Sequence, residues 1–326
     1  TDDEFKVRQA VTFQRDGSVA IMKRDNEGAW EKADEIGPDD SLTTTSLGFT
    51  HAGDIEYIID SRGRNTAALF AIDTETGERS LLFEDPKADV GGVLSHPTEG
   101  TVQAVSVNYR RQTWHVLDDR IRRDMDRLER AHAGDFSVTS RTLDDSAWIV
   151  AYTADDGPVR YYLYERDSGK TRFLFTNRPA LETAPLAPMH DVVIPSRDGL
   201  ELVSYLTLPQ SSDTDGDMKP SAPLPMVLLV HGGPWARDAW GYNPIHQWLA
   251  NRGYAVLSVN FRGSTGFGKN FINAANLEWG ASMHDDLLDA VKWAVDQRIA
   301  REDQVAIMGG SYGGYATLWG LTATTE

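Results

Sequence analysis

The constraint that narrows the fold most is a recurrence in the first half of the chain. Glu56-Tyr57-Ile58-Ile59-Asp60, Val102-Gln103-Ala104-Val105-Ser106 and Trp148-Ile149-Val150-Ala151-Tyr152 are apolar, β-favouring runs whose first residues stand 46 apart. The runs after them, at 69–73, 115–119 and 161–165, keep the same step, and the turn formers Asp73-Thr74-Glu75-Thr76-Gly77 are echoed by Arg166-Asp167-Ser168-Gly169. A period near 46 with about four strands per unit is that of a β-propeller blade, not of a helical solenoid. Residues 1–184 therefore read as a partial propeller with three full blades and a remnant around Ser18–Met22 and Trp30–Lys32. Closure takes roughly 4 to 8 blades, so further blades are expected before Thr1, and the missing initiator Met agrees. One insertion interrupts the pattern: between Arg120 and His132, the residues Ile121, Met125, Leu128 and His132 share one helical face, with charges of both signs elsewhere.

From Pro185 the rhythm changes. Asp191–Ile194 and Leu200–Leu208 flank the turn Arg197-Asp198-Gly199 and predict a hairpin. A polar loop over 210–222 follows, then the runs Met226–Val230 and Tyr254–Val259, continuous enough to be strands covered on both faces. Helices are expected from about Pro244 to Arg252 and from a cap at Ser282, with a stripe of Met283, Leu287, Val291, Ala294 and Arg298. Residues 185–326 thus read as the first part of a doubly wound, mostly parallel α/β domain, with Val305–Met308 as its central strand.

That strand delivers Gly309-Gly310-Ser311-Tyr312-Gly313-Gly314. A serine on a tight strand-to-helix turn, with glycine two before and two after, is a nucleophile elbow in the making. The alternative is a serine that merely caps the helix. Context favours the first: His231-Gly232-Gly233-Pro234 also follows a parallel strand, and the ends of such strands are where sites form. Backbone N–H groups placed there stabilise the oxyanion of acyl transfer by about 2.7–4 kcal/mol per donor. Ser311 is the candidate catalytic residue, with Gly233 and Tyr312 as candidate oxyanion-hole donors. Gly263-Ser264-Thr265-Gly266-Phe267-Gly268-Lys269-Asn270 nearly spells a phosphate loop, but Asn270 lacks the hydroxyl that holds Mg²⁺, and the next clear helix cap is a dozen residues away.

Charge and composition exclude several classes. With 32 basic and 49 acidic side chains the net charge is −17, which disfavours nucleic acid and anionic membranes as partners. There is no cysteine, so disulfides and thiolate metal sites are out, and the eight histidines are scattered with no H-E-x-x-H; no cofactor and no metal are expected. No apolar run is long enough to span a bilayer, and the lack of cysteine fits a reducing compartment, so the reading is cytoplasmic.

His231-Gly232-Gly233-Pro234-Trp235, Asn260–Gly268, Met283-His284-Asp285-Asp286 and Gly309–Tyr315 resemble the motifs of the prolyl oligopeptidase family of serine peptidases, closest to its acylaminoacyl-peptidase and dipeptidyl-peptidase-like branch. The resemblance runs from about Asp191 onward. It implies a propeller limiting access to an α/β-hydrolase domain that cleaves short or N-blocked peptides through an acyl-enzyme on Ser311. The family order is serine, acid, histidine, yet all eight histidines here precede Ser311. His231 adjoins the oxyanion loop and His284 begins a helix, so neither suits the role of base. The acid and base are therefore expected beyond Glu326, on the rest of a longer polypeptide or on a complementary chain, leaving these residues inactive alone. A carboxylesterase and a non-catalytic propeller binding protein are the rival readings, and homo-oligomerisation is compatible with the sequence.

Overall fold

The computed structural model describes residue 2, residues 5–25 and residues 27–324. Short alternating strands separated by glycine turns can satisfy their backbone only by pairing with near neighbours, and the first half does so in four small sheets. The first joins β1 (Gln9–Phe13), β2 (Val19–Arg24) and β3 (Trp30–Ile36), and the second β4 (Thr45–Phe49), β5 (Ile55–Asp60), β6 (Ala68–Asp73) and β7 (Arg79–Phe83). The third has β8 (Val90–Ser95), β9 (Val102–Asn108) and β10 (Gln112–Val116). After it the chain enters helix α1 (Arg122–Ala131), where the repeat would place a fourth strand. The fourth sheet joins β11 (Asp135–Arg141), β12 (Ala147–Thr153), β13 (Arg160–Glu165) and β14 (Lys170–Thr176). These are propeller blades, two with four strands and two with three among the described residues.

The expected runs fall on β5, β9 and β12 and on β6 and β13, but one needs correction. The run at 115–119 is a strand only to Val116, because β10 begins at Gln112 and Asp118 caps a 3₁₀ turn at 119–121 by accepting from the Arg120 N–H. Three of the insertion's four face residues, Ile121, Met125 and Leu128, are buried, and the Tyr152 hydroxyl donates to the Leu128 carbonyl at 2.7 Å, whereas His132 lies just past the end of α1 and is half-buried.

The chain packs as two compact units. One holds residues 1–125, 141–146 and 266–270; the other holds 126–140, 147–265 and 271–326. The blade strands end with β14 at Thr176, the mixed sheet begins with β15 (Met189–Pro195), and the last blade's residues 147–176 group with that sheet in the second unit. In the first unit Tyr57, Ile59, Ala67, Leu69, Val90 and Val105 form a buried core.

In the second unit β15, β16 (Glu201–Thr207), β17 (Leu224–Val230), β18 (Ala255–Val259) and β19 (Ala300–Gly309) make one sheet in the order β15-β16-β18-β17-β19. The β15–β16 hairpin and the β16–β18 pair are antiparallel, whereas β18–β17–β19 run parallel. Leu202, Val203, Leu206, Val256 and Leu257 are fully buried, as continuous apolar runs require. Helices α2 (Pro244–Ala250), α3 (Lys269–Asn273), α4 (Ser282–Asp296) and α5 (Tyr312–Ala323) follow β17, β18 and β19.

Three expectations change here. β19 is the outer strand of the described sheet rather than its centre, with β17 its one partner and Met308 39% exposed. Ser282 is the first residue of α4 and makes no side-chain cap; the Glu278 carboxylate accepts from its N–H instead. The α4 stripe stops at Ala294, since Arg298 lies beyond the helix and is exposed.

Candidate active site

The parallel register pairs Val230 with Gly309, so the segments that leave β17 and β19 start side by side. From β19 the chain turns directly into α5 through Ser311, which has φ 55° and ψ −119°. Such a backbone is costly for a residue with a side chain and persists only where its surroundings impose it. They do so through close packing. A Cβ on Gly313 would lie 2.1 Å from the Val230 carbonyl oxygen, and one on Gly309 2.6 Å from the same oxygen. Glycine is obligatory at both positions, and Ser311 is left exposed at the crest of the turn.

The His231–Pro234 loop borders that crest. A Cβ on Gly232 would stand 3.3 Å from Ser311 Cβ and 3.9 Å from its Oγ, and Gly233 adopts φ 123°, a conformation that favours glycine. Tyr312 opens α5, so its N–H belongs to the first turn, where no carbonyl four residues back can receive it. Both donors expected from the sequence therefore lie on segments adjoining Ser311.

Beneath the turn is an aromatic stack. Phe261 sits between the His231 ring at 4.6 Å and the Tyr312 ring at 5.2 Å, and Trp279 meets Tyr312 edge-on at 4.9 Å. Tyr312 is buried and its hydroxyl contacts Met283 Sδ at 3.8 Å; burial pushes that phenol well above its ordinary range.

Neither nearby histidine is placed as a base. His231 Nδ1 lies 2.7 Å from the Gly232 carbonyl and Nε2 2.9 Å from Ser264 Oγ, and burial holds its pKa below the ordinary imidazole value. His284 is buried on α4, where a Cβ on Gly320 of α5 would approach its Cε1 at 3.3 Å. Its two ring nitrogens have no hydrogen-bond partner among the described residues, and burial lowers its pKa as well. Among the described residues no histidine is hydrogen-bonded to Ser311.

Several contributors were not assigned from the sequence, although all but one lie inside the motifs that carried the resemblance. Arg262 and Asp286 form a buried pair: the Asp286 carboxylate accepts from the Arg262 N–H at 2.8 Å and from its guanidinium at 2.9 and 2.7 Å. Burial pushes the Asp286 carboxyl upward against those bonds. Asn260, fully buried, bonds the backbone of Asp238. Asp238 is the one outside the motifs: burial pushes its carboxyl up to about 7 against the pull of Arg237, and its Oδ2 has no hydrogen-bond partner among the described residues. No periodicity marks such a position.

The phosphate-loop lookalike is used otherwise. Residues 266–270 count with the first unit, where the Gly268 N–H donates to Asp89, the Lys269 and Asn270 N–H groups donate to Asn65, and Lys269 Nζ lies 2.7 Å from Asp40 Oδ1. A helix does open at Lys269, contrary to the sequence reading. The amides and the cation that would cradle phosphate are nonetheless taken by protein groups. In the polar 210–222 loop, Asp213, Asp215 and Asp217 bring carboxylate oxygens within 4.8 Å of one another; Asp213 is buried and engaged by His190 at 2.7 Å, while the other two are exposed.

Blades followed by a mixed sheet that presents a serine on a strand-to-helix elbow define the class: a propeller-associated α/β-hydrolase. Residues 240–326 match the model of the prolyl oligopeptidase family. It is 58% identical over 325 residues to dipeptidyl aminopeptidase BIII of Pseudoxanthomonas mexicana and 38% identical over 349 residues to dipeptidyl peptidase family member 6 of Caenorhabditis elegans. Each alignment covers 100% of this chain and 47% of the relative, so the chain spans about half the length of these curated relatives. The crystal structure of Porphyromonas gingivalis dipeptidyl peptidase 4 superposes with a TM-score of 0.72 at 18% identity, covering 96% of this chain and 44% of that one, and supports the fold. No helix among the described residues is long and apolar enough to cross a membrane.

Proposed function

We propose that this chain carries the nucleophile and oxyanion donors of a serine peptidase that releases dipeptides from short peptides. The observation that carries the reading is the strained, exposed backbone of Ser311 packed against Gly232. Ser311 Oγ attacks the scissile carbonyl and loses its proton to a general base, and the tetrahedral oxyanion is held by the N–H groups of Gly233 and Tyr312. Collapse expels the amine, which takes the proton back from the base, and water then hydrolyses the acyl-enzyme by the same route. With His231 and His284 occupied or buried, the base and its orienting acid are assigned to a segment outside these 326 residues. The names of the two relatives favour dipeptides with a free amino terminus over the N-blocked peptides of the sequence reading. The propeller blades are assigned the role of limiting access to small substrates.

The test is fluorophosphonate labelling of the full-length enzyme, combined with hydrolysis of dipeptidyl amides, N-acyl aminoacyl amides and simple aryl esters. Labelling at Ser311, preference for dipeptidyl amides, and loss of activity on the order of 10⁶-fold in Ser311→Ala are expected. An enzyme that hydrolyses only esters is a carboxylesterase, and one that never labels is a binding protein.

A further inference from the structure

The loop that carries Gly233 has no regular structure of its own, so what fixes it must come from its neighbours. Residues 231–238 are tied to the loop after β18 at three points. His231 Nε2 lies 2.9 Å from Ser264 Oγ, the Thr265 N–H donates to the Ala236 carbonyl at 2.9 Å, and Asn260 makes the third tie with its side chain. Asn260 is placed for this as no hydroxyl or carboxylate is. Its Oδ1 accepts from the Asp238 N–H at 2.8 Å while its Nδ2 donates to the Asp238 carbonyl at 3.2 Å, so one planar amide closes on both backbone groups of one residue. Asn260 is 0% exposed and its own N–H donates to the Val203 carbonyl of β16, so the clamp is referred to the rigid sheet. Two residues on, Arg262 is locked to Asp286 of α4. The Asp238 Oδ2 adds nothing to the tie, since it bonds nothing among the described residues.

We infer that Asn260 is a positioning residue for acyl transfer: by clamping Asp238 it sets where the 231–238 loop presents the Gly233 N–H to the oxyanion formed at Ser311. The inference rests on the proposed serine-peptidase reading. Asn260 touches neither substrate nor reacting atoms and acts through the loop. An oxyanion donor is valuable only at its correct distance, and displacements of about 1 Å are worth up to about 100-fold in rate. Losing the clamp therefore lowers kcat while leaving ground-state binding, and hence KM, nearly unchanged.

The test uses the full-length enzyme and the variants Asn260→Ala, Asn260→Asp and Asn260→Ser, each assayed on a dipeptidyl amide with turnover normalised to the serines that a fluorophosphonate titrates. Normalisation removes misfolded molecules from the count, so instability alone does not lower the result. Expected is a fall of about tenfold or more in kcat per titrated serine with KM within about twofold. Asn260→Asp is expected to recover toward native as pH falls, measured as its ratio to the native enzyme, because a protonated carboxyl again offers one donor and one acceptor. An unchanged kcat per titrated serine in all three variants overturns the positioning role. So does an Asn260→Asp to native ratio that is flat with pH while Asn260→Ala is impaired, because the clamp chemistry would then be irrelevant. Failure of the native enzyme to label would instead overturn the peptidase reading, and the two failures are distinct.

Discussion

Ser311 shows how single residues divide the work at this turn. Its side chain is the proposed nucleophile, but its position is set by two residues that have no side chain. Gly309 and Gly313 lie so close to Val230 that a methyl group on either would overlap a carbonyl oxygen at 2.6 or 2.1 Å. Gly313→Ala is accordingly expected to push α5 away from β17, lower the denaturation midpoint, and reduce kcat by about 100-fold or more, read by denaturant titration alongside amide hydrolysis. An alanine variant with native stability and rate would show that the turn has slack the packing denies. The G-x-S-x-G spacing was legible in the sequence because steric necessity leaves a signature in glycine. The placement of His231 and His284 was only partly legible: the contact of His231 with Ser264 and the burial of His284 against Gly320 are made by residues distant in sequence.

Among the elements, the loop after β18 and helix α4 are joined by the Arg262–Asp286 pair, whose side chains are 6% and 0% exposed. A buried charge that loses its partner has no water to turn to. Asp286→Ala removes the buried carboxylate of the Arg262 guanidinium and leaves it only a half-exposed one, and is expected to destabilise the protein by about 3 kcal/mol in chemical denaturation. Asp198 also meets Arg262, at 2.9 Å, but its side chain is 51% exposed, and Asp198→Ala is expected to cost about 1 kcal/mol or less. Equal effects from the two variants would mean that burial does not set the value of this network. Strand identities were readable from runs of Val, Ile and Leu, as in β17 and β18. The replacement of a fourth strand by α1 was foreshadowed by the helical face of Ile121, Met125 and Leu128. The placement of β19 beside β17 was not, because strand order depends on crossovers that a linear pattern does not encode.

For the molecule as a whole, Asp238 links loop burial to global stability. Its carboxyl is raised to about 7 by burial, so the folded state holds this proton while the unfolded chain, with an ordinary aspartate, releases it near pH 4. The sign follows. The contribution is most favourable below the unfolded pKa, is lost as pH rises from about 4 toward 7, and is constant once both states are ionised. Asp238→Asn removes the titration, and its stability relative to the native protein is expected to rise across that window and level off above it, read as denaturation midpoints from pH 4 to 9. A difference that is flat with pH would remove Asp238 from the pH response.

The residues by themselves determined the blade period, the parallel α/β alternation, the serine elbow and the loop opposite it, because each is a local necessity: strand length, turn sterics, helix start. What tertiary structure alone decided is which distant groups meet. Asn260 closes on Asp238, Asp286 captures Arg262, Phe261 lies between His231 and Tyr312, and Lys269 finds Asp40 rather than phosphate. Those pairings are set by burial and by strand order, which arise only when the sheet is assembled and unsatisfied polar groups must find partners inside it.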